Sequence, residues 1–129
     1  MRILVAEDTP ANQRLVTTIL KKRGHHVRVA QNGAEALEIF QREPFDLILM
    51  DVQMPVLDGF EATSAVRARE STVRDRVPIV AMTAHAMRGD RERCLSAGMD
   101  AYVSKPIDVP KLIELIESLT HYEQPSATS

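Results

Sequence analysis

The seven residues FDLILMD at positions 45–51 decide the fold that we predict for this sequence. Phe45–Met50 has the length and the apolar content of a strand that is buried on both faces, and it stops at Asp51. Two further runs of this kind are Ile3–Ala6 and Val77–Met82. Strands that are apolar on both faces need a layer of helices on each side, which predicts a parallel sheet.

Amphipathic segments alternate with these strands and begin at recognisable helix signals. Thr9 precedes Pro10 and is predicted to cap a first helix. Its single apolar face is expected to comprise Leu15, Ile19, Val16 and Leu20. Asn32, followed three residues later by Glu35, predicts a capping arrangement at the start of a second helix. Continued to the end of the chain, this interpretation gives five strands and five helices in strict alternation.

Five strand–helix units on a chain of 129 residues fit one compact α/β domain. Because crossover connections are right-handed, such a chain suits a doubly wound, flavodoxin-like (βα)5 parallel sheet with the strand order 2-1-3-4-5. We predict that this domain spans residues 1–120. The polar residues 121–129 are predicted to form a disordered tail.

The composition excludes several classes of function. A formal net charge of −2 gives no overall positive field for nucleic acid, so direct binding to it is not predicted. The single cysteine, Cys94, excludes an internal disulfide and a multi-cysteine metal cluster. No apolar run approaches the roughly 18 residues that cross a bilayer. We therefore expect a cytoplasmic domain that does not insert into a membrane.

The residues that follow the predicted strands are the ones that indicate function. In an open parallel sheet, ligands bind beyond the carboxyl ends of the strands, where the strand order reverses. In the order 2-1-3-4-5 that place lies between the first and third strands. The first strand is followed by Glu7 and Asp8, the third by Asp51, the fourth by Thr83 and the fifth by Lys105. These five polar side chains are therefore expected to converge on one edge of the sheet.

Three carboxylates in one small site need a positive charge beside them. Two unit charges ~5 Å apart repel by about 3 kcal/mol at an effective dielectric constant of ~20. The acids therefore either retain a proton or bind a cation. Hard oxygen ligands with room for water suit Mg²⁺, with Mn²⁺ as its substitute. A cation beside a free carboxylate is also what phosphoryl transfer to Asp51 requires, with Lys105 and Thr83 contacting the phosphoryl oxygens.

Four short motifs resemble those of the receiver domains of response regulators in two-component signalling. They are Glu7-Asp8, the stretch from Met50 to Pro55 together with Asp58-Gly59, Met82-Thr83-Ala84 and Lys105-Pro106. The motifs fall in the order and on the elements that this family has, and the resemblance runs from Arg2 to about Thr120. Of these residues, Asp58 and Gly59 are also explained by turn chemistry alone.

The resemblance implies a role for each acid of the site. Asp51 would be the phosphoacceptor, and both Asp8 and Asp51 would give carboxylate oxygens to Mg²⁺. The backbone carbonyl of Gln53 would complete the protein ligands, and Glu7 would act through a water molecule.

The resemblance also implies a conformational switch. Thr83 and Lys105 would contact the phosphoryl group, and Tyr102 would rotate inward as Thr83 moves toward the phosphate. The surface formed by the fourth helix, the fifth strand and the fifth helix would then repack.

A finer resemblance is to receivers carried by hybrid sensor histidine kinases. It is apparent at Asn12-Gln13 and at residues 51–55, 84–87 and 98–100. It implies a phosphorelay in which a histidine kinase or a histidine phosphotransfer protein is the donor, and a dimer that depends on phosphorylation. The chain would be a single-domain response regulator or a receiver excised from the cytoplasmic part of a membrane-bound sensor histidine kinase.

Three alternatives were weighed against this interpretation. A flavodoxin-type electron carrier needs free amides for its flavin phosphate, where Glu7 and Asp8 bring negative charge. An aspartyl-phosphate hydrolase typically has a second acid two residues after the nucleophile, where this chain has Gln53. A silent adaptor would not need the intact acidic site. The domain is therefore expected to catalyse only its own phosphorylation and slow dephosphorylation, and not to be a turnover enzyme by itself.

Overall fold

The computed structural model describes residues 1–52, 57–73, 77–83, 88–104 and 107–123 of the chain. They form strands and helices that alternate as the sequence predicts. The strands are β1 (Arg2–Ala6), β2 (His26–Ala30), β3 (Leu47–Asp51), β4 (Ile79–Thr83) and β5 (Ala101–Ser104). The helices are α1 (Pro10–Lys22), α2 (Gly33–Arg42), α3 (Gly59–Val73), α4 (Arg88–Ala97) and α5 (Val109–Glu123).

The strands form one parallel sheet in the order β2-β1-β3-β4-β5, which confirms the predicted fold class and strand order. The register pairs Ala6 with Met50 and Asp51 with Met82, so β1, β3 and β4 end at the same edge. We call this edge the carboxyl edge and the opposite one, where the strands begin, the amino edge. The strand order reverses between β1 and β3, as expected.

The sheet separates two apolar layers because successive residues of a strand point to opposite faces. Leu4 and Ala6 of β1 belong to the layer covered by α2, α3 and α4, whereas Ile3 and Val5 pack under α1 and α5. All residues of β3 and β4 are buried, which explains their runs of apolar residues. Cys94 lies in the first layer as a small buried side chain, with 1% of its surface exposed.

The two predicted helix caps have different outcomes. Asn32 caps α2, because its side-chain oxygen accepts a hydrogen bond from the N–H of Glu35 at 2.8 Å. The Glu35 carboxylate in turn accepts from the N–H of Gln31 at 2.9 Å. Thr9 occupies the predicted N-cap position of α1, directly before Pro10, but its side chain makes no capping hydrogen bond. Its hydroxyl donates instead to Oδ1 of Asp8 at 3.4 Å, away from the helix.

The buried stripe of α1 is narrower than the sequence suggests. Val16 and Leu20 are its buried residues, whereas 40% of the surface of Leu15 is exposed. A helix turns by about 100° per residue, so Leu15 is carried to the flank of a stripe centred on Val16 and Leu20. The predicted apolar face is thus confirmed at Val16 and Leu20, whereas Leu15 lies at its exposed flank.

The end of the chain differs in part from the predicted division. Helix α5 continues to Glu123, so residues 121–123 are helical although they were assigned to the tail. Residues 124–129 lie outside the described residues, and the domain boundary after residue 120 stays a prediction. None of the helices in the described ranges combines the length and the apolar character that crossing a membrane requires.

Candidate functional site

Three of the predicted site residues stand at the ends of neighbouring strands. Glu7 directly follows β1, Asp51 is the last residue of β3, and Thr83 is the last residue of β4. All three residues are buried, with 0%, 2% and 1% of their surface exposed. Burying polar groups costs free energy unless they are hydrogen-bonded, paired with a charge or bound to a metal. Their concentration at the carboxyl edge therefore indicates a site.

Asp8 completes a cluster of carboxylates at this edge. One carboxylate oxygen from each of Glu7, Asp8 and Asp51 lies within 4.8 Å of the others, and we call these residues the acidic cluster. Glu7 and Asp51 are buried and Asp8 is exposed, so the cluster opens to solvent on the side of Asp8. The structure thus brings together the acids that the sequence predicted to meet.

Three hydrogen bonds hold Glu7 in place. Its N–H donates to the carbonyl of Ala30, the last residue of β2, at 3.0 Å. Its Oε2 accepts from the N–H of Thr9 at 3.0 Å, and its carbonyl accepts from the side-chain amide of Gln13 in α1. The loop after β1 is therefore tied to both β2 and α1. From the sequence, Gln13 was identified only as part of a resemblance. In the structure its side-chain amide links α1 to the loop after β1.

Backbone hydrogen bonds also hold Val52, the residue that follows Asp51. The N–H of Val52 donates to the carbonyl of Met82 at 3.1 Å, which continues the pairing with β4 beyond Asp51. The N–H of Gly59 donates back to the carbonyl of Val52 at 3.2 Å. A Cβ at Gly59 would lie 2.4 Å from the carbonyl oxygen of Asp51, so only glycine permits this close approach.

Asp58 serves the helix rather than the acidic cluster. Its Oδ1 accepts a hydrogen bond from the N–H of Glu61 at 2.9 Å, and its own N–H donates to the Glu61 carboxylate at 3.2 Å. This reciprocal pair is a capping box at the start of α3. The local interpretation of Asp58 is therefore the correct one.

The residues of the predicted switch lie on adjacent strands. Thr83 pairs in register with Ser104, and Tyr102 pairs with Ala81. Tyr102 is partly buried and packs against the layer under α4. Its switching role stays a prediction, as does the role of Thr83.

Two of the predicted site residues, Lys105 and Gln53, lie outside the described residues. Their roles at the phosphoryl group and the metal stay predictions.

The acidic cluster has the donor set of a site for a small, hard divalent cation. Mg²⁺ is typically held by one or two carboxylates and keeps several of its waters. The carboxylates of the cluster supply hard oxygen ligands, and its open side at Asp8 leaves room for water. Mutual repulsion of about 3 kcal/mol per pair, at ~5 Å and an effective dielectric constant of ~20, would favour the bound state of such an ion.

Two glycines beside the site were not recognised as site residues from the sequence. Gly33 and Gly59 each follow a capping residue, Asn32 and Asp58, at the first position of a helix. Glycine is a poor helix former, so its presence there is a signal of close packing. Only the structure identifies the atoms that it approaches.

Fold and site together define a class of protein: a flavodoxin-like α/β domain with a carboxylate cluster where its strand order reverses. Comparison with known families is more specific. The family model described as the response regulator receiver domain matches residues 3–117. The chain belongs to this family.

The curated relatives include sensor kinases that are far longer than this chain. Hybrid signal transduction histidine kinase I of Dictyostelium discoideum is 45% identical over 122 residues, which cover 91% of the chain. The match covers only 7% of that kinase, so the chain spans less than a tenth of its relative's length.

Solved receiver structures share this fold. The receiver domain of sensor histidine kinase PA1611 from Pseudomonas aeruginosa is 40% identical, with a TM-score of 0.81, and covers 91% of this chain and 94% of its own. It has a magnesium ion coordinated in its active site cleft. The receiver domain of Saccharomyces cerevisiae Ssk1, crystallised with the histidine phosphotransfer protein Ypd1, is 33% identical at a TM-score of 0.84, covering 91% and 86%.

Proposed function

We propose that this receiver domain is a phosphorylation-driven switch of a two-component phosphorelay, in which Asp51 accepts the phosphoryl group of a phosphohistidine donor. The acidic cluster is the observation that carries the proposal, because carboxylate oxygens of Glu7, Asp8 and Asp51 lie within 4.8 Å of one another. Of the three, Asp51 ends the central strand β3, where it pairs with Met82, and the next residue, Val52, makes two further backbone hydrogen bonds. That rigidity suits a nucleophile, which has to keep its position during transfer.

The proposed metal site uses the acids of the cluster. Asp8 and Asp51 are the carboxylate ligands of Mg²⁺, for which Mn²⁺ can substitute, and Glu7 acts through a water molecule. The backbone carbonyl of Gln53 is a further ligand by family resemblance. The magnesium ion in the PA1611 receiver supports this proposal. When bound, the cation offsets the negative charge of the phosphoryl oxygens.

In the proposed transfer step, a carboxylate oxygen of Asp51 forms a bond to phosphorus as the bond from phosphorus to the donor's histidine nitrogen breaks. The electron pair of the breaking bond stays on that nitrogen, and the product on Asp51 is an acyl phosphate. The hydroxyl of Thr83, buried at the end of the neighbouring strand β4, donates a hydrogen bond to one phosphoryl oxygen. Lys105 pairs with another. The domain catalyses this step and slow dephosphorylation, and no other turnover.

The proposed switch leads from Thr83 to the surface formed by α4, β5 and α5. As Thr83 moves toward the phosphoryl group, Tyr102 on the paired strand β5 rotates inward and that surface repacks. A change from 99:1 to 1:99 between two states needs about 5.5 kcal/mol of differential interaction. A few charge-assisted hydrogen bonds, at about 1.5–3 kcal/mol each, supply that amount.

The proposed partners follow from the same relatives. A histidine kinase or a histidine phosphotransfer protein donates the phosphoryl group, and the Ssk1 receiver bound to Ypd1 supports the second kind of donor. The parent chain is either a hybrid sensor histidine kinase, with this domain on the cytoplasmic side, or a single-domain regulator. Phosphorylation promotes a dimer and not the direct binding of nucleic acid.

Labelling by acetyl phosphate tests the proposal. The wild type with Mg²⁺ should gain the mass of one phosphoryl group, whereas Asp51→Asn should gain none. Asp46→Asn is the matched control, because it makes the same change at the opposite end of β3, where Asp46 bonds to the N–H of Arg2 at 2.8 Å. Intact-mass spectrometry separates the outcomes. Full labelling of Asp51→Asn, or an unlabelled wild type, would refute the proposed function.

A further inference from the structure

The connection between β2 and α2 contacts both loops that build the phosphorylation site. We call its residues, Ala30–Gly33, the β2–α2 turn. Its first residue, Ala30, accepts a hydrogen bond from the N–H of Glu7 at 3.0 Å. Its last residue, Gly33, donates a hydrogen bond to the carbonyl of Leu57 at 3.1 Å. The turn is therefore bonded at one end to the acidic cluster and at the other to the segment that joins β3 to α3.

Gly33 has no space for a side chain. A Cβ atom there would lie 2.2 Å from the carbonyl oxygen of Leu57 and 3.0 Å from its carbonyl carbon. Backbone atoms cannot swing aside like the end of a long side chain, so α2 or the segment would have to move by roughly 1 Å to restore ordinary contact. Positive φ angles are found at Gly24 and Gly98, and not at Gly33. The close approach, and not the backbone conformation, therefore requires glycine at this position.

The hydrogen bond from Gly33 uses a donor that the helix itself cannot satisfy. The first N–H groups of an α-helix have no partner within the helix, and they carry a partial positive charge. In α2 the side chain of Asn32 satisfies the N–H of Glu35, and the carbonyl of Leu57 satisfies that of Gly33. The start of α2 is thus completed by the segment between β3 and α3, which gives the contact a defined direction as well as a short distance.

The same segment is closed at its other end. The N–H of Gly59 donates to the carbonyl of Val52 at 3.2 Å, so the described residues at the two ends of this segment, Val52 and Leu57, each accept a hydrogen bond from the first residue of a helix. Gln53, whose carbonyl is the proposed metal ligand, belongs to that stretch of sequence.

We propose that Gly33 is a positioning residue for phosphorylation, which sets the distance between the loop of Glu7 and the segment after Asp51. This inference rests on the proposed function, because Gly33 would act only through the residues that form the proposed metal and phosphorylation site. A positioning contact of this kind acts through the geometry of the ligands, and the loss of such contacts weakens metal sites about 10- to 100-fold.

The test compares Gly33→Ala with a matched glycine variant. At Gly24 an alanine Cβ would meet nothing within 4 Å, but the φ angle of +86° strains the alanine. Gly24→Ala is therefore expected to lower stability far from the site, whereas Gly33→Ala is expected to force the start of α2 and Leu57 apart. Urea unfolding of both variants and NMR titration with Mg²⁺, followed at the amides of Asp8 and Val52, separate the two effects.

We expect the Mg²⁺ affinity of Gly33→Ala to fall about 10- to 100-fold, while that of Gly24→Ala equals the wild type. Before any metal is added, the amide signals of Leu57 and Gly59 should shift in Gly33→Ala and stay unchanged in Gly24→Ala. Equal affinities in the two variants would overturn the inference. A wild type that neither binds Mg²⁺ nor takes a phosphoryl group would refute the proposed function instead.

A measurement on the wild type covers the case in which Gly33→Ala does not fold. Hydrogen exchange of the Gly33 amide is compared with that of Ala36, which bonds to the carbonyl of Asn32 at the start of the same helix. Addition of Mg²⁺ with beryllofluoride, a phosphoryl mimic, should slow exchange at Gly33 more than at Ala36. An equal change at both amides would overturn the positioning role, because the bond from Gly33 to Leu57 would then respond no more than an ordinary bond of the same helix.

Discussion

The two edges of the sheet treat charge in opposite ways. At the amino edge, acids are paired with bases: Arg2 and Arg28 contact the two carboxylate oxygens of Glu43 at 2.8 and 3.0 Å. Arg67 contacts Asp100 at 2.7 Å at the same edge. At the carboxyl edge, the acidic cluster instead gathers carboxylates within 4.8 Å of one another. Among the described residues, the acids of the amino edge contact basic side chains, whereas those of the carboxyl edge lie together in an arrangement that suits a divalent cation.

The Arg67–Asp100 pair at the amino edge is part of a hydrogen-bond network that supports the fold. The guanidinium of Arg67 donates to the carbonyls of Gly98 and Val77 at 2.9 and 2.7 Å, in addition to its contact with Asp100. The same Asp100 oxygen accepts from the N–H of Ile79 at 2.8 Å. The network joins α3, the start of β4 and the turn before β5. The amino edge therefore contributes to stability, whereas the proposed function lies at the carboxyl edge.

The largest effect on stability should come from Arg67→Met at the amino edge. The Arg67 and Asp100 side chains are only 14% and 22% exposed. Removing the guanidinium therefore leaves the largely desolvated Asp100 carboxylate without its cationic partner. We expect a loss of about 2–4 kcal/mol in the free energy of unfolding, measured with urea. Arg42→Met is the control, because its pair with Glu38 is 73% and 64% exposed, and it should cost at most about 0.5 kcal/mol. Equal losses would remove the assigned role of the network.

The same chemical change should have opposite signs at the two edges. Asp51→Asn removes one charge from the acidic cluster, and without divalent ions it should raise the free energy of unfolding by about 1–3 kcal/mol. Asp100→Asn should lower it, because that carboxylate is paired with Arg67. Urea unfolding in EDTA measures both. Millimolar Mg²⁺ should then stabilise the wild type and not Asp51→Asn. The free energies of unfolding of the two proteins should therefore lie closer together than in EDTA. A destabilised Asp51→Asn in EDTA would contradict the contrast between the edges.

The smallest effect should be a pH dependence at the amino edge. Burial, together with the positive charges of the amino terminus and Arg23, lowers the pKa of His25 below 6.5, and Glu117 opposes the shift. Below pH 6.5 the unfolded chain therefore takes up this proton more readily than the folded one. The contribution of His25 to stability is complete above pH 6.5 and is lost as the pH falls toward its pKa in the folded state.

NMR titration of the His25 imidazole checks the direction of this shift, and urea unfolding of His25→Gln at several pH values checks its effect. The variant should lose less stability than the wild type as the pH falls from 6.5. A His25 pKa of 6.5 or above in the folded protein would contradict the prediction.

Most of the architecture could be predicted because it depends on local patterns. Strands buried on both faces leave an unambiguous signal, and Glu7, Asp8 and Asp51 were identified because each follows such a strand. Predictions about the exact orientation of a helix were less successful. Leu15 was assigned to the same apolar face as Val16 and Leu20 but is largely exposed, because adjacent apolar residues on a helix do not reveal which of them faces the sheet. Thr9 is at the predicted N-cap position but makes no side-chain capping bond, because such a bond depends on rotamer and loop geometry.

The sequence by itself determined the alternation of elements, the strand order and the acids at the carboxyl edge. These depend on periodicity, on the handedness of crossovers and on chain order, all of which are local or topological. Only the tertiary structure decided that Gly33 meets the carbonyl of Leu57. The same is true of Arg67, which donates hydrogen bonds to the Asp100 carboxylate and to two backbone carbonyls. Such contacts join residues far apart in the chain, and their distances follow from how whole helices and loops pack against one another.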